Sequence, residues 1–70
     1  MIHRVNFSPF ATNVIDMIGA DNLKTAGGLP VTISRGNYGF TITIGDQVYR
    51  TDDNLYASYI LNMNDVGIDS

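Results

Sequence analysis

The segment RGNYGFTITIGDQVYRT, residues 35–51, decides the fold that the sequence predicts. Gly36-Asn37 and Gly45-Asp46 have the composition of two-residue β-hairpin loops, and the residues between them alternate between apolar side chains and threonine. A period of two is typical of a strand with one buried face. The segment therefore predicts a central strand with a tight turn at each end, in a three-stranded antiparallel meander.

The two turns predict one register for the whole meander. The first sets Ile33 opposite Phe40 and Val31 opposite Ile42, and the second sets Ile42 opposite Tyr49. The face predicted to be buried carries Leu29, Val31, Ile33, Phe40, Ile42, Ile44 and Tyr49. The other face carries Thr32, Ser34, Gly39, Thr41, Thr43, Val48 and Arg50. A slip of one residue at either turn would bury threonines, so the hydrophobic pattern specifies the faces strongly.

A helix is predicted before the meander. Ser8 suits an N-cap and Pro9 suits the first helical position, where the missing N–H costs nothing. Apolar residues then recur at i, i+4, i+7 and i+8, namely Phe10, Val14, Met17 and Ile18. Gly19 is placed to end this helix. The following ADNLKTAGGLP is predicted to be a connection, with a single turn at Asp21 to Lys24.

A second helix is predicted after the meander. Thr51 or Asp52 is the expected N-cap, and aspartates in the first turn complement the helix dipole. The expected buried stripe consists of Leu55, Tyr56, Tyr59, Ile60 and Met63. Leu61 lies outside that stripe and is a hint of contact with another chain. The terminal VGIDS is predicted to pack loosely or to fray.

The sequence therefore predicts one small α+β domain over residues 1–70, with the element order α-β-β-β-α. A three-stranded antiparallel meander carries both helices on its apolar face, which leaves the threonine face open. Residues 2–7 fit either an extra N-terminal strand or a packed arm.

Size and cysteine content limit the class of protein. A chain of 70 residues is near the lower limit at which one core offsets chain entropy without a staple, so oligomerisation or a partner is expected to contribute. There is no cysteine, which fits a reducing compartment, and we expect a cytoplasmic protein without a signal peptide. No run approaches the roughly 20 apolar residues of a membrane span.

The charges disfavour direct nucleic-acid binding. The bases are Arg4, Lys24, Arg35 and Arg50, which form no cationic stripe, and all seven acids are aspartate. Only 16% of the residues are charged, against a typical figure of about 25%. We therefore expect a neutral surface that suits burial against another protein.

Catalytic and metal-ligating residues are few. His3 is the sole histidine and lies near a terminus, and the serines have no recognisable activating base. Asp52 and Asp53 could act as acid and base or hold a divalent cation, but helix capping gives a sufficient structural reason for them. We therefore predict a protein that is not an enzyme and has no cofactor or metal.

The partner-binding residues are predicted from exposure and chemistry. The threonine face offers hydroxyl groups with an arginine at its rim, and tyrosines are frequent interface anchors. The predicted set is Thr32, Ser34, Tyr38, Thr41, Thr43, Arg50 and Tyr56. The alternative is an ordinary solvated sheet face, polar because water is its neighbour.

Two resemblances are relevant. The order α-β-β-β-α is similar to that of the double-stranded-RNA-binding domain, but that family binds RNA through a lysine-rich start of its second helix, where this chain has TDDNLY (residues 51–56). A tiny, cysteine-free, acidic α+β chain also resembles small phage-encoded inhibitors of bacterial defence, including certain anti-CRISPR proteins. Because the chain is small, lacks recognisable catalytic residues and has few charges, the first hypothesis is a non-enzymatic protein-binding module, with a phage or mobile-element inhibitor that blocks a host protein sterically as its narrower form. The second is an assembly subunit that forms a homo-oligomer through its sheet face or edge.

Overall fold

The computed structural model describes residues 1–8 and 10–70, and over these residues the chain forms a six-stranded antiparallel sheet with one α-helix. The strands are β1 (Ile2–Arg4), β2 (Leu23–Lys24), β3 (Pro30–Gly36), β4 (Gly39–Ile44), β5 (Gln47–Thr51) and β6 (Gly67–Asp69). The helix is α1 (Asn54–Met63), and a 3₁₀ helix spans Val14–Met17. The predicted order α-β-β-β-α is wrong, and with it the similarity in element order to the double-stranded-RNA-binding domain.

The predicted meander is present as β3, β4 and β5. Its second turn has the predicted register, with Ile42 opposite Tyr49. The first turn lies one residue later than predicted: the loop is Asn37-Tyr38, so the pairing register is displaced by two residues, with Ile33 opposite Ile42 instead of Phe40. A displacement of two leaves each side chain on its predicted face, because the side-chain period of a strand is two. Leu29 is an exception, since it precedes β3 and is exposed.

The predicted first helix is wrong. Ser8 donates its N–H to the carbonyl of Thr12 in a turn, and Phe10 is fully exposed. A short 3₁₀ helix begins only at Val14, with the Oδ1 atom of Asn13 accepting the N–H of Ile15 at 3.0 Å. Pro9, the predicted first helical residue, lies outside the described residues. In this segment the aromatic side chain that is buried is Phe7 and not Phe10. We infer that the burial of Phe7 determines the course of the backbone here.

The second helix is present, but its buried face differs from the predicted one. Its N-cap is Asp53 and not the predicted Thr51 or Asp52, and the Oδ1 atom of Asp53 accepts the N–H of Leu55 at 2.9 Å. The side chains that face the sheet are Ala57, Ser58, Ile60 and Leu61. Of the predicted stripe, only Ile60 is buried, and Leu61, which was expected to lie outside the core, is completely buried.

Three short strands complete the sheet in the order β1-β6-β2-β3-β4-β5. The N-terminal strand, one of the two alternatives for residues 2–7, is present as β1. The turn predicted at Asp21 to Lys24 is wrong, because Leu23 and Lys24 form β2. The terminal segment was predicted to be loose, yet β6 lies between β1 and β2. Because the chain must return from the β5 edge to β6, α1 crosses one face of the sheet, which is why that face becomes the core.

The core lies between this sheet face and a layer made by α1, the 3₁₀ helix and the segment around Phe7. Its buried apolar side chains are Phe7, Val14, Leu23, Val31, Ile33, Phe40, Ile42, Ile44, Ala57, Ile60, Leu61 and Val66. At about 1.5–3 kcal/mol for each large side chain, their burial is the main term that opposes chain entropy.

Asn62 connects α1 to the segment after β1. Its side-chain amide accepts the N–H of Phe7 at 3.0 Å and donates to the carbonyl of Phe7 at 2.6 Å. One side chain thus makes both hydrogen bonds that a neighbouring strand would make with the backbone of Phe7. Phe7 is buried, so without Asn62 its backbone N–H and C=O would lose these hydrogen bonds away from water.

Replacing Asn62 with alanine is expected to lower the free energy of unfolding by about 2–3 kcal/mol, because two backbone groups lose their hydrogen bonds at a buried residue. Urea denaturation followed by circular dichroism measures this change. Asn64→Ala is the control: the side chain of Asn64 donates to the carbonyl of Ile60, which also accepts the N–H of Asn64. That control should cost less than about 1 kcal/mol. Equal costs for the two variants would contradict the role given to Asn62.

Candidate functional site

The candidate site is the part of the sheet face opposite the core that lies on β3, β4 and β5, which we call the open face. Register places its side chains in two rows across β3, β4 and β5, one formed by Thr32, Thr43 and Val48 and the other by Ser34, Thr41 and Arg50. The middle members of both rows are half-buried by their neighbours, and the outer members are exposed. None of the described residues of the core layer packs over these rows.

The open face is almost uncharged, and the nearest lysine, Lys24, lies at its border on β2, opposite Pro30. Arg50 is its only charged residue in these two rows, and it lies on β5, the strand at the edge of the sheet. The three threonines and Ser34 offer hydroxyl groups that donate and accept, and Val48 adds an apolar side chain that is half exposed. Such a face loses little free energy of solvation when a partner covers it, and its hydroxyl groups can bond to that partner.

A concavity of about 480 Å³ adjoins the open face. It lies where the β3–β4 turn approaches the segment between β5 and α1, and it is lined by Gly36, Asn37, Tyr38, Gly39, Phe40, Thr41, Arg50, Thr51 and Asp52. Tyr38 projects at its rim with 90% of its surface exposed. Three residues predicted from the sequence, Tyr38, Thr41 and Arg50, are therefore brought together here. The concavity can receive a projecting side chain of a partner that lies across the open face.

The structure does not bring Tyr56 to the open face. Tyr56 lies on α1, in the layer on the other side of the sheet, where its ring stacks on that of Tyr59 at 6.2 Å between centroids. The open face carries Thr32, Ser34, Thr41, Thr43 and Arg50. Tyr56 belongs to a second surface.

That second surface is the outward side of α1, which we call the helix face. It consists of Leu55, Tyr56, Tyr59 and Met63, each between 52% and 61% exposed. Sequence reasoning missed it, because these side chains were read as the buried stripe. A signal was available: residues 54–63, NLYASYILNM, contain no charged residue, so either side of the helix is apolar enough to be covered.

A larger concavity of about 770 Å³ lies at the opposite end of the sheet, beside β1 and β6. Four of its charged groups form two ion pairs, and Lys24 also lines it without an ion pair among the described residues. Arg4 contacts Asp65 at 3.2 Å, and the N-terminal amine contacts Asp69 at 3.5 Å. These pairs connect the two chain ends and the turn after α1, which gives them a structural explanation.

The acidic pair and the histidine do not form one site. Asp53 caps α1, and its own N–H donates to the Oγ1 atom of Thr51 at 3.1 Å. His3 lies on β1, whereas Asp52 and Asp53 follow β5, so they lie at opposite edges of the sheet. Over residues 1–8 and 10–70, no group of three histidine or aspartate side chains is placed to hold a metal ion.

No helix in the part of the chain that the structure describes is long and apolar enough to cross a membrane. No protein-family model matches the chain, and no significant match was found among curated proteins or solved structures.

Proposed function

We propose that the protein is a non-enzymatic protein-binding module that docks its open face against a partner protein. The observation that supports this most is the composition of the two rows: hydroxyl groups, one valine and one arginine, without lysine, glutamate or aspartate. Protein interfaces are depleted in those three charged residues and enriched in arginine. A solvated edge region of a sheet usually carries lysine or another charge that discourages association.

The mode of action in this proposal is steric. A flat face three strands wide, with strands about 4.8 Å apart, covers a patch of the partner and excludes its other ligands. Arg50 and Tyr38 flank the concavity and supply the side chains best suited to fix the orientation of the complex. In its narrowest form, the proposal is a cytoplasmic inhibitor encoded by a phage or mobile element, which blocks a host defence protein.

The test uses a sheet-face variant, Thr32→Lys/Val48→Lys, in which both substituted positions are exposed. The charge-matched control is Asn6→Lys/Ala11→Lys, at exposed positions of the segment that follows β1. Tagged wild type and both variants are mixed with bacterial lysate, captured proteins are quantified by mass spectrometry, and the best candidate is purified for calorimetry.

We expect wild type and control to bind the same purified partner, and the sheet-face variant to bind it at least roughly thirtyfold more weakly, which corresponds to about 2 kcal/mol. The reason is that two lysines would have to be desolvated within the interface. Equal affinity of all three proteins for every partner found would refute the open face as the docking surface.

A second candidate function is that of an assembly subunit. Among the described residues, β5 has a strand neighbour on one side, β4, and its sequence QVYRT contains neither lysine nor proline. An edge of this kind can pair with an edge strand of another copy. Val48→Pro removes an N–H from that edge, so loss of self-association in this variant would favour the second function over the first.

A further inference from the structure

The unusual element of this fold is a helix that is apolar on both sides. α1 buries Ala57, Ile60 and Leu61 against the sheet, and it also presents the helix face to solvent. In a globular protein, a helix that is hydrophobic all round is normally covered on all sides. The helix face places four large apolar side chains side by side without a charged residue among them. Small monomeric proteins rarely expose a contiguous apolar patch of this kind unless it is a binding surface.

We infer that the helix face binds a second copy of this chain, with the two α1 helices packed antiparallel about a twofold axis. The first argument is self-complementarity, because a twofold interface places the same surface on itself and tolerates no net charge at its centre. The helix face meets this condition, since residues 54–63 are uncharged.

The second argument is the distribution of charge at the two ends of α1. Asp52 and Asp53 precede the helix, whereas Arg4 lies beside Asp65 at 3.2 Å, just beyond its C-terminal end. Parallel packing would bring together the four carboxylates of Asp52 and Asp53 from the two copies. Antiparallel packing instead brings each acidic end towards an end where Arg4 and Asp65 neutralise each other, and it also opposes the two helix dipoles favourably.

The third argument is the shape of the surface. Tyr56 and Tyr59 stack at 6.2 Å with 27° between their planes, which forms a broad aromatic platform near the middle of the helix. Leu55 directly precedes Tyr56, and Met63 follows Tyr59 by one turn, so they flank the tyrosine pair on its two sides. In an antiparallel pair, Leu55 of each copy therefore lies near Met63 of the other, and the tyrosines meet around the axis. This inference does not depend on the proposed function of the open face.

The experiment measures mass in solution by sedimentation from micromolar to millimolar concentration. The helix-face variant is Tyr59→Lys/Met63→Lys, and the charge-matched control is the sheet-face variant Thr32→Lys/Val48→Lys. Lysine is a good helix former and suits the C-terminal turn of α1, so the helix-face variant is expected to keep the circular dichroism of wild type. We expect wild type and control to approach twice the chain mass of 7.7 kDa and the helix-face variant to remain at that mass.

Two results would overturn the inference. One is a wild type that stays monomeric over the whole range. The other is a dimer that the sheet-face variant dissociates and the helix-face variant does not, which would assign self-association to the sheet.

A second measurement tests the antiparallel arrangement. The chain has no cysteine, so single substitutions give unambiguous disulfide crosslinks. Leu55→Cys mixed with Met63→Cys should give a crosslinked dimer under mild oxidation in much higher yield than either variant alone. Efficient crosslinking of Leu55→Cys to itself would instead indicate parallel helices and contradict the arrangement.

Discussion

Leu61→Ala is expected to destabilise the protein by about 2–5 kcal/mol, the range for removing a large apolar side chain from a packed core. Leu61 is completely buried, and it contributes to the contact between α1 and the sheet. The total stability of a chain this short is itself expected to be only several kcal/mol, so this one substitution should remove a large part of it.

Leu55→Ala is the matched control, since it makes the same chemical change on the same helix at a side chain that is 61% exposed. It should change the free energy of unfolding by less than about 0.5 kcal/mol. Both values come from urea denaturation in dilute solution, where a weak dimer contributes little. If Leu61→Ala is unfolded in buffer, sodium sulfate is added equally to all proteins. A larger cost for Leu55→Ala than for Leu61→Ala would mean that the stripe expected from the sequence is the buried one.

Gly39→Ala is the second substitution with a large expected effect. Gly39 has a φ of +139° at the start of β4, and a Cβ atom there would overlap the carbonyl oxygen of Thr51 and the Cα atom of Asp52. The strained backbone costs about 1–3 kcal/mol. The overlap with backbone atoms, which cannot rotate away, costs a further amount of about 1–3 kcal/mol. We therefore expect a loss of several kcal/mol together with a distorted concavity beside Tyr38.

Gly36 provides the control for that substitution, because it lies directly opposite Gly39 in the same hairpin. A Cβ atom on Gly36 would lie 3.8 Å from the Oγ1 atom of Thr41, an ordinary contact. Gly36→Ala should therefore change stability by less than about 1 kcal/mol. Thermal unfolding of the two variants beside wild type makes the comparison, and similar melting temperatures for both would show that Thr51 and Asp52 can move aside.

The two proposed surfaces lie on opposite sides of the molecule. The open face belongs to β3, β4 and β5, and the helix face belongs to the layer that covers the other side of the sheet. A dimer formed through the helix face would leave both open faces accessible and would present two copies of the partner-binding surface. Such an arrangement raises the apparent affinity for a partner that is itself dimeric, without any new contact.

The parts of the fold that the sequence predicted are those with local signals. Gly45-Asp46 between alternating side chains predicted the second turn and its register, and the acidic cap before a run of helix formers predicted α1. The first turn lies one residue later than predicted, and the β3–β4 register is displaced by two, because glycine occurs at both Gly36 and Gly39, which leaves more than one register compatible with the same faces. For this reason the threonine rows of the candidate site were predicted despite the displaced turn.

The parts that were wrong depend on contacts between distant residues. β1, β2 and β6 are two or three residues long, too short for a period of two to be recognised. The helical spacing of Phe10, Val14, Met17 and Ile18 was outweighed by the burial of Phe7 and its bonds to Asn62, which lies 55 residues away. Helical spacing is a weak local preference, and tertiary packing readily overrides it.

The sequence by itself determined the meander, the identity of its open face and the existence of α1, because turn residues, alternation and capping act within a few residues of one another. Only the tertiary structure decided that β6 lies between β1 and β2 and which side of α1 faces the sheet. The sheet-facing side and the outward side of α1 are both largely apolar, so hydrophobicity alone does not choose between them. The choice falls to packing, in which the small side chains of Ala57 and Ser58 let the helix approach the sheet and leave the tyrosines outside.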